Sequence, residues 1–192
     1  MSDEYHRIVQ SFVELKNTSE LMMDLAYSSL LLNSRELAEE VLRLEDRVDV
    51  IHHDFQLMVL SCSAIEQEPE ARLGLIEAGE VTERIADAAA EIAKVILRGP
   101  EPHAVLGQAI REAEQTVVKA TISEKSILVG QRLKEAKIPE NTGMWILAIL
   151  RGQGWVRPSK ETTLQAGDTL IASGYADGEE YFRKMAKGRV RK

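Results

Sequence analysis

The apolar residues of this chain change their spacing once, at Gly99-Pro100-Glu101-Pro102. Before this segment they recur at steps of three and four residues, the period of an α-helix, and after Ala120 they gather in short β-branched runs separated by glycine. Because the two periods bury different faces, the sequence predicts an α+β protein with two domains. The predicted segments are a helical domain over residues 1–98, a linker and connecting helix over 99–116, a strand-rich domain over 117–187 and a basic tail over 188–192.

The negative charge of the chain is concentrated in its helical half. Residues 1–98 carry a net charge of −11 and residues 99–192 a net charge of +4, within a total of −7. The positive surplus comes from Lys187 and from Arg189, Arg191 and Lys192 of the tail, so nucleic acid is not an expected partner. The longest apolar run, residues 144–150, is far below the roughly 18 residues of a membrane span, and the chain starts without a basic and apolar signal region. We therefore expect a cytoplasmic protein.

Three long helices are predicted in the first half, each with one apolar seam. The seams comprise Ile8, Phe12, Leu15, Met22 and Ala26; Leu37, Val41, Leu44, Val48, Ile51, Phe55, Met58 and Cys62; and Ala78, Val81, Ile85, Ala88, Ile92 and Val95. Ser34 is a candidate N-cap of the second helix, and Pro69 suits the first turn of the third. Short connections favour an antiparallel three-helix bundle. Because apolar residues extend beyond each narrow seam, a homodimer is also expected.

Two acidic pairs lie on the polar sides of the second and third helices, Glu45 with Asp49 and Glu83 with Asp87. A spacing of four residues points both carboxylates of a pair the same way, and a bound cation would relieve their repulsion of about 0.2–0.5 kcal/mol. The same spacing is common on solvated helix faces, so the residues alone leave both interpretations open. Glu45 adjoins its seam and Glu83 lies away from its own, which favours different faces for the two pairs.

The segment Glu83-Arg84-Ile85-Ala86-Asp87-Ala88-Ala89-Ala90-Glu91-Ile92-Ala93 resembles the third helix of the PhoU family, and Leu44-Glu45-Asp46-Arg47-Val48-Asp49 resembles its second-helix motif. The resemblance covers about residues 5–98 and implies divalent or iron-type metal ions bound by both acidic pairs. The chain departs from the family where Ala86 and Ala88 flank Asp87 in place of glycine and histidine. His52 and His53 point about 100° apart on the second helix, so we expect solvated or rim positions for them.

The second half reads as short strands with two helices. The predicted strands span residues 116–123, 144–151, 155–157 and 169–173, and the predicted helices span 126–136 and 177–186, after a connecting helix over 103–115. Gly152-Gln153-Gly154 suits the hairpin between the second and third strands. The resulting order, β-α-β-β-β-α, describes a small α+β unit.

Three motifs of this half are similar to the TrkA-C (RCK_C) domain of cytoplasmic regulators of potassium channels and transporters. They are Ser126-x-Leu128-x-Gly130-x-x-Leu133, Gly143-x-x-Ile146-x-Ala148-Ile149-x-Arg151-Gly152 and Pro158-x-x-x-Thr162-x-Leu164-x-x-Gly167-Asp168-x-Leu170-x-x-x-Gly174. Such domains pair, and small ligands bind between them: cyclic di-AMP in some members, metal ions or no established ligand in others. The corresponding positions are Trp145, Ile146, Arg151 and Arg157. From the residues alone, Arg151 also fits a solvated strand end and Trp145 an interface filler.

The absent motifs bear on function as well. No Gly-x-Gly-x-x-Gly opens a βαβ unit, so NAD is not an expected cofactor, and no nucleophile with a base or P-loop lysine is present, so the chain is not expected to be an enzyme. The leading hypothesis is a dimeric regulatory subunit that senses a small anionic ligand and acts on a membrane cation transporter or channel, most specifically for potassium. The alternative is a PhoU-like metal-binding regulator of phosphate transport or signalling. A metallo-enzyme built on the acidic pairs is the weakest of the three.

Overall fold

The computed structural model describes residues 3–63, 68–99, 108 and 115–189. The chain divides into two compact units, residues 1–101 and 102–192, and each has its own apolar core. The first unit is helical and the second is a four-stranded sheet with helices, so the predicted α+β class is confirmed. In the described part of the chain, no helix combines the length and apolar content that a membrane crossing requires.

The helical unit consists of α1 (Asp3–Leu31), α2 (Arg35–Ser61) and α3 (Pro69–Leu97), each packed against the other two. The predicted helix starts are confirmed: the Ser34 side chain accepts a hydrogen bond from the Leu37 backbone N–H at 3.4 Å, and Pro69 occupies the first turn of α3. The predicted α2 seam is buried at Leu37, Val41, Leu44, Val48, Phe55 and Cys62. Phe55 packs against Phe12 of α1, with ring centroids 5.4 Å apart.

The predicted seam of α3 is wrong. The helix instead buries a neighbouring face made of small residues, namely Gly79, Ala86, Ala89, Ala90, Ala93 and Ile96. Val81, Ile85 and Val95 of the predicted seam remain 48%, 43% and 49% exposed. The face of small residues is buried in place of the predicted seam because small side chains let α3 approach α2 closely. A Cβ added at Gly79 would lie 2.8 Å from the Phe55 ring.

The second unit contains β1 (Gln115–Thr121), β2 (Met144–Arg151), β3 (Gly154–Val156) and β4 (Thr169–Tyr175). The strands pair antiparallel in the order β1-β4-β2-β3, with an irregularity in β2 between Ile146 and Ala148. All four strands occur where the sequence predicts them. The described part of the basic tail ends at Arg189. Gly174 of β4 supports a close approach, because a Cβ there would lie 2.1 Å from the Gly143 carbonyl oxygen.

The predicted helix over residues 126–136 is wrong in extent. Its first part is a run of turns, followed by the short helices α4 (Leu133–Ala136) and α5 (Ile138–Thr142). The left-handed backbone at Gly130 (φ +80°) and Lys137 (φ +45°) interrupts helical hydrogen bonding on both sides of α4. The last helix, α6 (Glu179–Ala186), follows a 3-10 turn over Ala176–Gly178. The predicted connecting helix over 103–115 lies outside the described residues, apart from Gln108 and the start of β1.

Candidate functional site

The first predicted acidic pair is compensated from within the protein at Glu45. The Nζ atom of Lys94 on α3 lies 3.6 Å from Glu45 and 2.9 Å from Glu91. The hydrogen bond to Glu91, followed by the charge of Glu45, raises the pKa of Lys94 and keeps it cationic. A lysine therefore supplies the positive charge that Glu45 needs, without a bound ion.

The second predicted pair is less well compensated. Burial, and then the charges of Asp87 and Asp49, raise the pKa of Glu83, while His52 partly opposes them. Asp49, Glu83 and Asp87 thus share one electrostatic neighbourhood between α2 and α3, against the expectation that the two acidic pairs occupy different faces. Because α3 packs through Gly79, Ala86 and Ala93, Glu83 is turned towards α2.

His52 belongs to the same neighbourhood. It is half-buried, and its Nε2 atom is enclosed without a hydrogen-bond partner. The sequence signalled it only as one of two adjacent histidines, with no indication that its ring would approach α3 beside Gly79. Across the ranges that the structure describes, no three His, Cys, Asp or Glu side chains group closely enough to hold a metal ion.

A groove on the second unit gathers two of the predicted ligand residues. Its volume is about 510 Å³, and it lies against β2, α4, α5 and the loop after β3. Trp145 and Ile146 line it, and Trp145 is 54% exposed. The remaining lining residues are Leu133, Lys134, Ile138, Pro139, Glu140, Pro158, Ser159 and Lys160.

Two lysines at this groove were missed by the sequence analysis. Lys134 of α4 binds Glu161 at 2.6 Å, and Lys160 lies in the loop after β3. Neither belongs to a charge cluster along the sequence, and the fold of the loop onto α4, through the Lys134 N–H bond to the Lys160 carbonyl at 3.1 Å, brings them to one place. The groove therefore combines an indole and apolar walls with two cationic side chains.

The predicted arginines do not line the groove. Arg151, at the end of β2, donates from Nε and Nη2 to the two carboxylate oxygens of Asp168, both at 2.8 Å, and from Nη2 to the Thr163 carbonyl at 2.8 Å. The hydrogen bond with Asp168 raises the pKa of Arg151. Arg157 is exposed in the loop that follows β3. The structure thus brings together Trp145 and Ile146, and gives Arg151 a structural partner.

Two family models match the chain on either side of the change in apolar spacing. The PhoU domain model matches residues 12–96, and the TrkA-C domain model matches residues 117–187. The chain joins a PhoU domain to a TrkA-C domain. The helical unit is the PhoU domain and the sheet unit is the TrkA-C domain, as the two sequence resemblances predict.

Solved structures with some similarity include a domain of a potassium transport protein and two structures of GsuK. The RCK C domain of the potassium transport protein KtrA, in complex with cyclic diadenosine monophosphate, is 30% identical over 42% of this chain and 93% of that chain, with a TM-score of 0.35. The GsuK RCK domain is 16% identical over 68% of this chain and 30% of its own length (TM-score 0.34), and the GsuK channel is 16% identical over 68% and 25% (TM-score 0.35). The chain thus covers less than a third of either GsuK protein. No curated protein matches the chain, and the assignment rests on the two family models.

Proposed function

We propose that this chain is a non-enzymatic, cytoplasmic, homodimeric regulator of cation transport, specifically of potassium, that senses a small anionic ligand at its TrkA-C domain. The observation that carries the proposal is the groove of that domain, where Trp145 and Ile146 lie with Lys134 and Lys160. The groove belongs to the TrkA-C domain, and the family resemblance assigns both Trp145 and Ile146 to the ligand cleft.

The chemistry of the groove suits a nucleotide with phosphate groups. The exposed indole of Trp145 offers a face on which a base can stack, and Ile146, Pro139 and Pro158 supply apolar contacts. Lysine ammonium groups attract phosphate oxygens, and Lys160 forms no ion pair with another described residue. Cyclic di-AMP, which the family resemblance implies and which the KtrA domain binds, carries both features and is the first probe.

Ligand binding would act on transport through a population shift. A ligand held between paired TrkA-C domains can favour one arrangement of the dimer only by binding it more tightly than the other. The PhoU domain would then transmit this preference to the membrane transporter or channel.

Tryptophan fluorescence tests ligand binding directly. The chain has two tryptophans, so Trp155→Phe leaves Trp145 as the single reporter. Titration with cyclic di-AMP should quench or shift this emission. Lys160→Ala should weaken the affinity for cyclic di-AMP about tenfold, because one charge-assisted contact is worth roughly 1.4 kcal/mol. Lys125→Ala, at an exposed lysine that does not line the groove, is the matched control. An unchanged emission with cyclic di-AMP, AMP and phosphate alike would refute nucleotide sensing here.

Potassium flux tests the regulatory role. Cells lacking the chain should take up potassium at a different rate from cells expressing it, and Trp145→Ala should not restore the original rate. Full complementation by Trp145→Ala would show that regulation of uptake does not depend on the groove. Equal potassium uptake with and without the chain would reject the potassium assignment.

The second candidate function is metal-dependent regulation of phosphate transport or signalling by the PhoU domain. It is favoured by the carboxylate of Glu83, whose pKa is raised by burial and by the charges of Asp87 and Asp49, and by the unpartnered Nε2 atom of His52. Elemental analysis of purified protein, with Glu83→Gln and Asp49→Asn beside the unaltered chain, tests it. Bound metal that both substitutions remove would support this function, and a metal-free unaltered chain that takes up no added divalent or iron ions would reject it.

A further inference from the structure

The apolar stripe that α3 leaves outside the bundle has heptad spacing. It comprises Ala78, Val81, Ile85, Ala88, Ile92 and Val95, and we call it the α3 stripe. Val81, Ile85 and Val95 are 43–49% exposed, Ala88 is exposed, and the other two are half-buried. Alternating steps of three and four residues over six positions form the seam of a two-helix coiled coil, and the bundle of one chain provides no second helix for it.

We propose that the α3 stripe pairs antiparallel with the α3 stripe of a second copy of this chain. The charges beside the α3 stripe favour a second copy of this chain as its partner. On its solvent side lie Glu77, Arg84, Glu91 and Arg98, one per heptad and alternating in sign, and all four are exposed. On its other side lie Thr82, Ala89 and Ile96, of which Ala89 and Ile96 are buried in the bundle and none is charged.

In one antiparallel register, the apolar residues of the two α3 stripes pack opposite each other and the flanking charges lie beside charges of opposite sign. If Ile85 packs opposite Ala88 of the second copy, Val81 lies opposite Ile92 and Ala78 opposite Val95. The flanking positions then place Arg84 beside Glu91 of the second copy and Glu77 beside Arg98, so that two-fold symmetry gives four pairs of opposite charge. In a parallel, in-register pair the same charges would face Thr82, Ala89 and Ile96 and gain no partner. Charge complementarity therefore selects a second copy and its direction.

The intramolecular contacts leave these charges available. Glu77 and Arg84 form no ion pair with any residue in the described ranges. Glu91 contacts Lys94 at 2.9 Å and Arg98 at 3.7 Å, but the side chains of Glu91 and Arg98 are 62% and 72% exposed. Such exposed contacts exchange readily for an equivalent partner. This interface adds to the pairing of TrkA-C domains in the proposed function and does not depend on a ligand.

Distances between spin labels on the full-length chain test the proposal. In a Cys62→Ala background, which removes the single cysteine, a label is attached at Asp87→Cys or at Glu70→Cys, both exposed and outside the α3 stripe. Because each residue rises 1.5 Å along a helix, antiparallel pairing brings the two Asp87→Cys labels close together and separates the Glu70→Cys labels by about 50 Å. A parallel pair would give equally short distances at both sites, and a dimer joined only at the TrkA-C domains would give no short distance at Asp87→Cys; either result overturns the proposal.

Two sets of variants link that short distance to the α3 stripe. Val81→Glu with Ile85→Glu should abolish it, whereas Val50→Glu, at an exposed valine of α2, should leave it intact. Arg84→Glu should weaken the pairing about tenfold by setting two like-charge contacts in place of two attractive ones, and Arg84→Glu with Glu91→Arg should restore it. Failure of the double reversal to recover the distance would contradict the charge register. Fluorescence of Trp145 in these variants reports the ligand groove separately, so loss of α3 pairing and loss of ligand sensing can be told apart.

Discussion

Arg151 holds the carboxylate of Asp168 through two parallel hydrogen bonds of 2.8 Å. The Asp168 side chain is only 1% exposed, whereas that of Arg151 is 32% exposed. Asp168 also accepts the backbone N–H of Gln165 at 2.8 Å, so one buried carboxylate connects the end of β2 to the turn that precedes β4. The side chain that the family resemblance assigned to a ligand thus has a structural partner within its own TrkA-C domain.

Arg151→Met should destabilise the TrkA-C domain by about 2–3 kcal/mol. The change leaves Asp168 buried without its cation, and the loss is below the roughly 3–5 kcal/mol typical of a fully buried pair because Arg151 is partly solvated. Urea unfolding followed by circular dichroism measures the effect. Arg132→Met is the matched control: its partner Glu161 lies at 3.0 Å in an exposed pair, and the expected loss is under about 1 kcal/mol. Equal losses in both variants would contradict this account of the Arg151–Asp168 pair.

The unfolding free energy of the TrkA-C domain should depend on pH through Asp168. Burial alone would raise its pKa, but the hydrogen bonds from Arg151 and Gln165 and the charge of Arg151 outweigh burial and lower the pKa below its usual 3.8. For a depressed carboxyl pKa, the added stability is complete above the unfolded-state value and is lost as pH falls through the lower folded-state value. The difference in unfolding free energy between the unaltered chain and Asp168→Asn should therefore be constant from pH 7 to about 5 and shrink below about pH 4. A constant difference down to pH 2 would exclude this linkage.

Gly79→Ala should destabilise the PhoU domain by about 1–3 kcal/mol, although alanine is the better helix former. The added methyl group would lie 2.8 Å from the fully buried Phe55 ring and force α2 and α3 apart. Gly74 of the same helix has open space around it, so Gly74→Ala should instead stabilise the helix by about 0.5–1 kcal/mol. The midpoint temperatures of thermal unfolding of the two variants should shift in opposite directions. A shift of both in the same direction would show that Gly79 does not lie on the face of α3 that contacts α2.

Glu83→Gln should stabilise the metal-free PhoU domain at neutral pH by about 0.5 kcal/mol, because it removes repulsion from Asp87 and its neighbours. The pKa of Glu83 is raised above its usual 4.5, so its ionised form opposes folding above that range and the advantage of glutamine should vanish as the pH falls below 4.5. Chemical unfolding in the presence of a chelator, at pH 7 and pH 4, measures both. Glu91→Gln is the counterpart: Lys94 lowers the pKa of Glu91, so this variant should lose stability at pH 7. A loss of stability with Glu83→Gln would indicate that its carboxylate has a partner.

The sequence by itself determined the two domains, the three helices and the strands, because periodicity, capping residues and glycine-marked turns act over neighbouring positions. Ser34, Pro69 and the strand from Met144 to Arg151 are where the local signals place them. It also singled out Trp145 and Ile146, through spacing that the TrkA-C domain shares.

Tertiary structure alone decided which face of α3 enters the bundle. Both faces of that helix are apolar enough to be buried, and the choice depends on how closely Gly79 and its alanines let α3 approach Phe55, a contact between residues 24 positions apart that no local pattern records. The same choice turns Glu83 towards α2 and leaves the α3 stripe in solvent. Long-range packing likewise paired Arg151 with Asp168 and brought Lys134 and Lys160 to one groove. At least one whole strand of the sheet lies between the members of each pair, so no local pattern in the sequence places them together.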